Sequence, residues 1–359
     1  MGFKDIIFPY DIYKIPNDKL KEICADLNLE TNGTARDLTD RIWNSFEKLN
    51  ETALNKIKRN VFAGRTSLTW YDLSAGASLK GAKDAIIKNS PFNPFEGVML
   101  PNKESLTSEP VLIGAVDAED DASYYLRFVL KKGVITDYYS GDQLIQQETV
   151  TVYINEELGI IEIRADHKKA KKVAVAIARM IGQQIALEQK NVLAPFGSKV
   201  EEIADALEGF LIDTVGKPEM DPEEFKEEQA KAVVNVLSAL DDYFKDRDIQ
   251  NLEDRLNHQD LNENFLSMPF TSLLLAGLET VGLGSVRELR GLPLYDYLTP
   301  YLQKQNGSIV FGVVEEGVKQ EFSIKVGIKT KNITFITPAT EAAIEYVRDR
   351  LIIKQTVSV

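Results

Sequence analysis

A change in the spacing of apolar residues constrains the fold of this chain more than any other feature. Before residue 65 apolar residues recur every three to four positions, the period of a helix, whereas from Val111 they alternate with polar ones, the period of a strand. Turns such as Lys132-Gly133 and Leu158-Gly159 separate the alternating runs. The runs read VLIGAV, YYLRFVL, VITDYYS, TVTVYI and IIEIRA. The pattern predicts an antiparallel β-meander.

A second alternating region precedes the C-terminus. Its strands read SIVFGVV, EFSIKVGI and ITFIT, and a helix is predicted to start after them at Pro338 or Ala339. A longer helix, from about His167 to Gln189, follows the first meander in the same way. Because each helix would lie across one face of an antiparallel sheet, the pattern predicts an α+β fold. The similar order of elements raises the hypothesis of an internal duplication, whereas the βαβ alternation of a parallel dinucleotide-binding fold is absent.

We expect the chain to have five parts. Residues 1–65 are predicted to form a small all-α module, and residues 66–110, rich in Pro, Asn and Ser, a connection in which SLTWYDL could be a short strand. Residues 111–195 and 304–359 would be the two units of meander plus helix. Between them, residues 196–303 are predicted to form an acidic insertion that is almost wholly helical.

The negative charge of the chain is concentrated in that insertion. The net charge is −13, and residues 201–263 alone contain 19 acidic and 6 basic residues, which equals the whole excess. Residues 1–65, with 11 basic and 10 acidic residues, are close to neutral. Because the local field governs a binding surface, the overall acidity does not exclude DNA binding by the N-terminal module. The acidic segment could repel DNA, mimic it or bind a basic protein partner.

Composition restricts the compartment. The longest apolar stretches are far shorter than the ~20 residues that a membrane span needs, and the N-terminal residues lack the apolar core of a secretory signal. The single cysteine, Cys24, excludes an internal disulfide and fits a reducing environment. With only two histidines, a Cys/His zinc site is nearly ruled out. We therefore expect a cytoplasmic protein with no membrane partner.

The sequence contains no strong catalytic motif. A phosphate-binding GxxxxGK[ST] loop, a GxSxG elbow and an HExxH helix are all absent. Asp117 followed by Glu162-Ile163-Arg164 approaches the Asp and Glu-x-Lys pattern of metal-dependent nucleases. However, arginine cannot easily lose a proton and does not substitute for the lysine. We expect no catalytic residue, no cofactor and no metal.

Local signals define the helices of the N-terminal module. Pro16-Asn17-Asp18 is a plausible helix start, and a second helix should begin at Thr34, whose hydroxyl can cap the amides of Arg36 or Asp37. A third short helix is predicted from Glu51 to Lys58. The apolar residues predicted to pack between the first two helices are Leu20, Ile23, Leu27, Leu29, Leu38 and Ile42.

Residues 14–46 resemble the SAP module, a nucleic-acid-binding motif of two helices joined by an extended turn. The matching features are the Asn28-Leu29 pair, where the family commonly has Gly-Leu, a polar turn that ends at Gly33, and the Leu38-x-x-Arg41-Ile42 signature. Asn28 still permits a left-handed residue. The family commonly has a basic pair directly after the turn glycine, whereas this chain has Thr34-Ala35.

The resemblance and the basic residues together predict an interface with double-stranded DNA. Backbone amides and the positive dipole end at a helix start suit a phosphate, and such contacts position a protein without reading sequence. The predicted DNA-binding residues are Lys19, Lys21, Gly33, Thr34, Arg36, Arg41, Lys56, Lys58, Arg59 and Arg65. A possible second basic patch consists of Lys168, Lys169, Lys171 and Lys172. It could bind phosphates or an acidic partner, or be an ordinary solvated first turn of a helix, paired with the acidic segment 201–263.

Three functional hypotheses follow. The first is a non-enzymatic DNA-binding protein that acts in a DNA transaction of a prokaryote or its virus. The second is an interaction scaffold in a multi-protein system, such as genome defence or segregation, in which the helical hairpin contacts protein. The third is an unrecognised metal-dependent nuclease, whose cleavage would depend on Glu162.

Overall fold

The computed structural model of the chain describes residues 2–73, 78–120, 122–182, 187–218, 227–257, 275 and 278–357. The chain divides into two compact units. The first unit consists of Met1–Gly209 and Val310–Val359, and the second consists of Phe210–Ile309. Helices and antiparallel strands together confirm the predicted α+β class.

The elements follow one another in this order along the chain. The α-helices are α1 (Pro9–Tyr13), α2 (Asn17–Asp26), α3 (Ala35–Asn44), α4 (Glu51–Val61), α5 (Ala82–Asn89), α6 (His167–Ile181), α7 (Val200–Ala206), α8 (Glu227–Asp246), α9 (Ile249–Asn257), α10 (Pro293–Leu298), α11 (Glu341–Arg348) and α12 (Lys354–Val357). The strands are β1 (Ser67–Leu73), β2 (Val111–Asp117), β3 (Ser123–Thr136), β4 (Gln143–Asn155), β5 (Ile160–Arg164), β6 (Leu187–Gln189), β7 (Phe210–Pro218), β8 (Val281–Gly284), β9 (Leu302–Glu315), β10 (Val318–Gly327) and β11 (Asn332–Phe335).

The strands of the first unit form one sheet with the order β2-β3-β4-β5-β1-β11-β10-β9, and β6 pairs with β1. The central strand β1 lies between β5 and β11, antiparallel to both. Leu68, Thr69, Trp70 and Tyr71 are all buried, as expected for a strand covered on both faces. The stretch predicted as a connection thus contains the strand that joins the two meanders, and α5 as well.

The helical module packs directly on this sheet. Isoleucines and leucines of α1 to α4 form a buried cluster that also includes Val116 of β2 and contacts Tyr125 of β3. A second cluster lies between the sheet and the helices α5 and α6. The first cluster means that the module and the sheet share one hydrophobic core, so the module's loops are positioned by the sheet.

Helix ends agree with the local signals. Helix α2 begins at Asn17, and the hydroxyl of Thr34, the residue before α3, accepts a hydrogen bond from the amide of Asp37. Thr340 caps α11 in the same way. The helix therefore begins at Glu341, two to three residues later than the predicted start at Pro338 or Ala339. Ile344, Val347 and Leu351 are buried. The helix predicted from Glu51 to Lys58 is α4, which extends to Val61.

Three predicted features differ from the structure. Lys132-Gly133 is part of a β-bulge within β3, where the register with β4 shifts, and the two strands then continue to pair as far as Thr136. The predicted strands YYLRFVL and VITDYYS are therefore one strand up to Thr136, and the chain reverses at residues 137–142. The predicted helix to Gln189 ends at Ile181, and Leu187–Gln189 is a strand that pairs with β1. Phe210–Pro218 and Val281–Gly284, in the segment predicted as helical, pair as antiparallel strands.

The second unit contains the strands β7 and β8, the first part of β9, and the helices α8, α9 and α10. Helices α8 and α9 are tied together by the Arg255 guanidinium, which pairs with Asp242 and donates to Ser238 Oγ at 3.2 Å. His258 and the rest of residues 258–274, at the end of the acidic segment, lie outside the described residues. In the part of the chain that the structure describes, no helix is both long and apolar enough to cross a bilayer.

Candidate nucleic-acid interface

The turn of the helical module has the backbone shape that its sequence requires. Asn28 adopts a left-handed conformation with φ 54° and Gly33 has φ 122°, so both residues occupy a region that few side chains tolerate. A Cβ on Gly33 would lie 3.0 Å from the side chain of Asp37. The turn is therefore held close to the first turn of α3.

A capping box closes the start of α3. Asp37 Oδ2 accepts hydrogen bonds from the Thr34 amide and from the Thr34 hydroxyl, both at 2.8 Å, and Thr34 Oγ1 accepts from the Asp37 amide at 3.3 Å. The hydrogen bonds from Thr34 lower the pKa of Asp37. The predicted phosphate position thus already carries a carboxylate of the chain itself, which competes with an incoming anion.

The side chain of Arg41 stabilises the same turn. Its Nη1 donates to the backbone oxygens of Glu30, at 2.8 Å, and Asn32, and its Nη2 lies 3.2 Å from the Glu30 carboxylate. A planar guanidinium can make several such contacts at once. The predicted DNA-binding residue Arg41 therefore has a structural role in holding the turn.

Three other predicted cations are paired with carboxylates. Lys19 Nζ lies 3.0 Å from Glu22, and Lys56 Nζ lies 2.7 Å from Asp26. Arg59 pairs with Glu316 of the β9–β10 turn. Lys58 Nζ instead lies 5.6 Å from the centre of the Phe3 ring. Charge on this side of α2 and α4 is largely balanced within the chain.

Unlike the paired cations Lys19, Lys56 and Arg59, three predicted cations have exposed side chains without such partners. Lys21, Arg36 and Arg65 make no ion pair or side-chain hydrogen bond with the residues that the structure describes. Arg36 follows the turn directly, and Lys21 lies on α2. The structure does not bring all ten predicted residues into one basic surface. It leaves these three cations available to an external anion.

Arg65 lines a polar cleft of about 780 Å³ between the end of α4 and the sheet. Lys14, Arg127 and Arg164 also line the cleft, as do the carboxylates Asp11, Glu148 and Asp166 and the hydroxyl-bearing residues Thr66, Ser67, Thr149, Thr151 and Thr334. Lys14 is exposed and makes no ion pair in the described part of the chain. Its ammonium lies 4.7 Å from the centre of the Tyr10 ring.

Buried Arg127 is tied into the wall of this cleft. Its Nη2 donates to Asp11 Oδ2 and its Nη1 to Thr151 Oγ1, each at 2.6 Å, and its guanidinium lies 4.7 Å from the centre of the Phe62 ring. Arg127 Nε is buried and has no hydrogen-bond acceptor. Burial lowers the pKa of the nearby Lys14, and the carboxylates of Asp11 and Glu148 offset this only in part.

The second predicted patch borders the same cleft. Lys169 Nζ lies 2.8 Å from Glu148 and 2.6 Å from Asp166, so this one ammonium is shared by two of the three cleft carboxylates and offsets one of their two negative charges. Lys172 donates to Ser108 Oγ at 2.8 Å. Lys168 and Lys171 make no ion pair among the described residues. Within this patch, Lys169 and Lys172 therefore contact other residues of the chain.

The carboxylate considered for a nuclease is used in a different way. Glu162 is fully buried and accepts hydrogen bonds from Trp70 Nε1 at 3.1 Å, Arg164 Nε at 3.0 Å and Arg348 Nε at 2.9 Å. Asp117 pairs with Lys83. Both oxygens of Glu162 thus face positive groups. Among the described residues, no group of three or more His, Cys, Asp or Glu side chains could hold a metal ion.

Lys14, Asp11 and Arg127 are not predicted from the sequence to be part of a site. The one signal was an arginine within the otherwise apolar strand run YYLRFVL, since a charge in a buried strand needs a partner. Its partner Asp11 lies 116 residues away in sequence. Comparison of the chain with protein-family models finds no match, and comparison with curated proteins finds no significant relative.

Proposed function

We infer that the protein binds double-stranded DNA through the phosphate backbone, without catalysis. The observation that supports this proposal is the cleft, where Lys14 and Arg65 are exposed cations that form no ion pair with a described residue. Arg36 and Lys21, on the SAP-like module, add two more such cations. A DNA phosphate that binds to one of these cations releases condensed counter-ions and is attracted by a charge that no ion pair within the chain satisfies.

The proposed contact is to phosphates rather than to bases. Lysine and arginine side chains surround the cleft, and threonine and serine hydroxyls supply further donors. Such groups bind phosphate oxygens of any sequence. Compared with the ten residues of the sequence-based hypothesis, the proposed contact set is smaller and consists of Lys14, Lys21, Arg36 and Arg65.

A salt titration of duplex binding by the full-length protein tests the proposal. Each cation that neutralises a phosphate contributes about 0.9 to the slope of log affinity against log salt. Lys14→Gln with Arg65→Gln should lower that slope by nearly 2, and Lys21→Gln with Arg36→Gln should have a similar effect. The measurement is fluorescence anisotropy of a labelled duplex at a series of salt concentrations.

The matched control is Lys325→Gln with Lys329→Gln, which removes two exposed lysines of the same unit. It should leave the slope nearly unchanged. Equal weakening by all three double variants would contradict the proposal, because it would reflect net charge alone. Undetectable binding at low salt would also contradict it. Point variants are preferred to deletion of residues 1–65, because the module shares its core with the sheet.

Helix α8 favours a second candidate function, the interaction scaffold. Val234, Leu237 and Phe244 are exposed and share one face of α8 with Asp241, a spacing typical of a helix that docks a partner. A basic amphipathic segment would complement this face. Recovery of one stoichiometric protein after nuclease treatment, lost in Leu237→Asp with Phe244→Asp, would support this alternative.

A further inference from the structure

Strands β3 and β4 extend well beyond the rest of the sheet. β2 pairs with β3 only as far as Val129, and β5 pairs with β4 only from Thr151. Beyond these points β3 and β4 continue to pair with each other, from Gly133↔Gln146 to Thr136↔Gln143. We call residues 133–146 the arm. Among the strands that the structure describes, none pairs with its outer edges.

The arm exposes apolar side chains on both of its faces. Ile135 and Leu144 lie directly opposite each other and are 49% and 63% exposed, and Val134 is opposite Ile145 on the other face. A two-stranded ribbon without a core beneath it is marginally stable in water. Exposed aliphatic pairs on such a ribbon are typical of a surface that is covered by a partner.

The tip of the arm is ordered and aromatic. Asp137 Oδ1 accepts hydrogen bonds from the amides of Tyr139, at 2.8 Å, and Ser140, at 3.3 Å, and the Asp137 amide donates to the Asp142 carbonyl at 2.8 Å. Tyr138 and Tyr139 are 97% and 104% exposed. The chain thus fixes a turn that presents two rings to solvent between two aspartates.

An apolar cavity of about 510 Å³ lies at the base of the arm. Its apolar lining includes Phe8, Tyr10, Leu100, Ile113 and Val129, and the side chains of Lys103 and Lys132 also border it. Leu100 and Tyr10 are more than half exposed. Neither lysine makes an ion pair with a described residue.

The arm cannot fill the cavity of its own chain. Val129, in the cavity wall, and Tyr138, at the tip, are nine residues apart along a paired strand, which corresponds to about 30 Å. The strand pairing prevents the tip from folding back. A tip that occupies this cavity must therefore come from another molecule.

We propose that the arm tip of a second copy of this chain occupies the cavity, and that the exchange is reciprocal. Two arms that lie side by side in opposite directions place each tip at the base of the other, which is a closed two-fold arrangement. Tyr138 and Tyr139 fill the apolar cavity, and the aliphatic pairs of the two arms cover each other. This inference does not depend on DNA binding.

The charges of the two surfaces are complementary. Asp137 and Asp142 flank the tyrosines, and Lys103 and Lys132 border the cavity. The area is also sufficient for a dimer. Four tip tyrosines bury about 150–250 Å² each, and the cavity walls lose a comparable area. The total of about 1,200–2,000 Å² is the size of a standard stable interface.

Sedimentation equilibrium of the full-length protein over a range of concentrations tests this proposal. A reversible monomer–dimer equilibrium is expected for the wild type. Tyr138→Ser with Tyr139→Ser should raise the dimer dissociation constant about thirtyfold or more, since buried aromatic residues carry most of the energy of an interface. The control Phe210→Ser removes another exposed aromatic ring, 58% exposed on β7, and should leave the dissociation constant unchanged.

A pair of charge reversals tests the reciprocity. Asp142→Lys places two positive groups together in its own homodimer, and Lys132→Glu two negative ones, so each variant alone should be mainly monomeric at low salt. In a mixture of the two variants both contacts are attractive, and the heterodimer should form. A wild type that is monomeric at every concentration would overturn the proposal, as would a mixture that associates no better than the separate variants.

Discussion

Arg348 Nε and Nη2 donate to the buried carboxylate of Glu162 at 2.9 Å and 3.2 Å. This pair joins α11, near the end of the chain, to β5 of the first meander. Arg164 extends the contact, because it donates to Glu162 as well as to the Glu341 carboxylate. Two arginines and two glutamates balance one another in the interior, which is the condition under which buried charges are tolerated.

Loss of the Glu162 charge should destabilise the first unit strongly. In Glu162→Gln, Arg348 and Arg164 remain buried while one of the two carboxylates that balance them is gone, and breaking a buried pair in this way costs about 3–5 kcal/mol. The free energy of unfolding in urea measures the effect. Glu202→Gln, which breaks an exposed ion pair with Lys199, should cost less than about 1 kcal/mol. Similar losses of unfolding free energy in the two variants would contradict the conclusion that the Glu162 charge balances the buried arginines.

Glu341 should make stability depend on pH in the acid range. Burial alone would raise its pKa, but the charges of Arg164 and Arg348, with hydrogen bonds from Arg164 and Tyr125, outweigh burial and lower the pKa below its ordinary value of 4.5. A carboxyl whose pKa is lowered in the folded state binds its proton more readily when unfolded. Its stabilisation is therefore complete above pH 4.5 and is lost as the pH falls through the lowered pKa.

The measurement compares the wild type with Glu341→Gln in urea unfolding at a series of pH values. At neutral pH the variant should be less stable by about 1.5–3 kcal/mol, the contribution of hydrogen bonds to a charged group. The difference should shrink as the pH falls below 4.5. The comparison isolates Glu341 from nearby Glu345, whose pKa is raised mainly by burial. A difference that is constant with pH would show that the Glu341 charge does not stabilise the fold.

Features that depend on nearby residues could be predicted from the sequence. The Thr34 cap, the left-handed Asn28 and the buried stripe of α3 involve residues within one or two helical turns, so their patterns are visible in the chain itself. The alternating runs likewise predicted most strands of the two meanders, because the period of the pattern reflects the period of the strand. The exception is VITDYYS, whose first residues continue β3 and whose remainder is a turn.

Features that depend on distant partners could not be predicted. The central position of β1 requires pairing with both Arg164 and Ile333, and no local pattern distinguishes a central strand from a short one in a connection. Lys132-Gly133 reads as a turn, but in the structure an extra residue is absorbed as a bulge. The charge state of the candidate site depends on the ion pairs of Lys56, Arg59 and Lys169, whose partners include residues of other elements.

Asp37 gives a test of the SAP-like turn as a contact for DNA. Its carboxylate lies at the start of α3, beside Arg36, where a phosphate would bind. Asp37→Asn removes a negative charge there and keeps an oxygen that can accept from Thr34. If the turn contacts DNA, affinity at low salt should rise about two- to fivefold, the effect of one charge at a helix terminus.

Fluorescence anisotropy of a labelled duplex measures the DNA affinity of the Asp37→Asn variant at low and at high salt. The gain should largely disappear at high salt, because mobile ions screen an exposed charge. Asp40→Asn is the matched control, since it removes an exposed aspartate from the same helix away from its first amides. An affinity unchanged by Asp37→Asn, or raised equally by Asp40→Asn, would mean that DNA does not contact this turn. Binding would then depend on the cleft of Lys14 and Arg65.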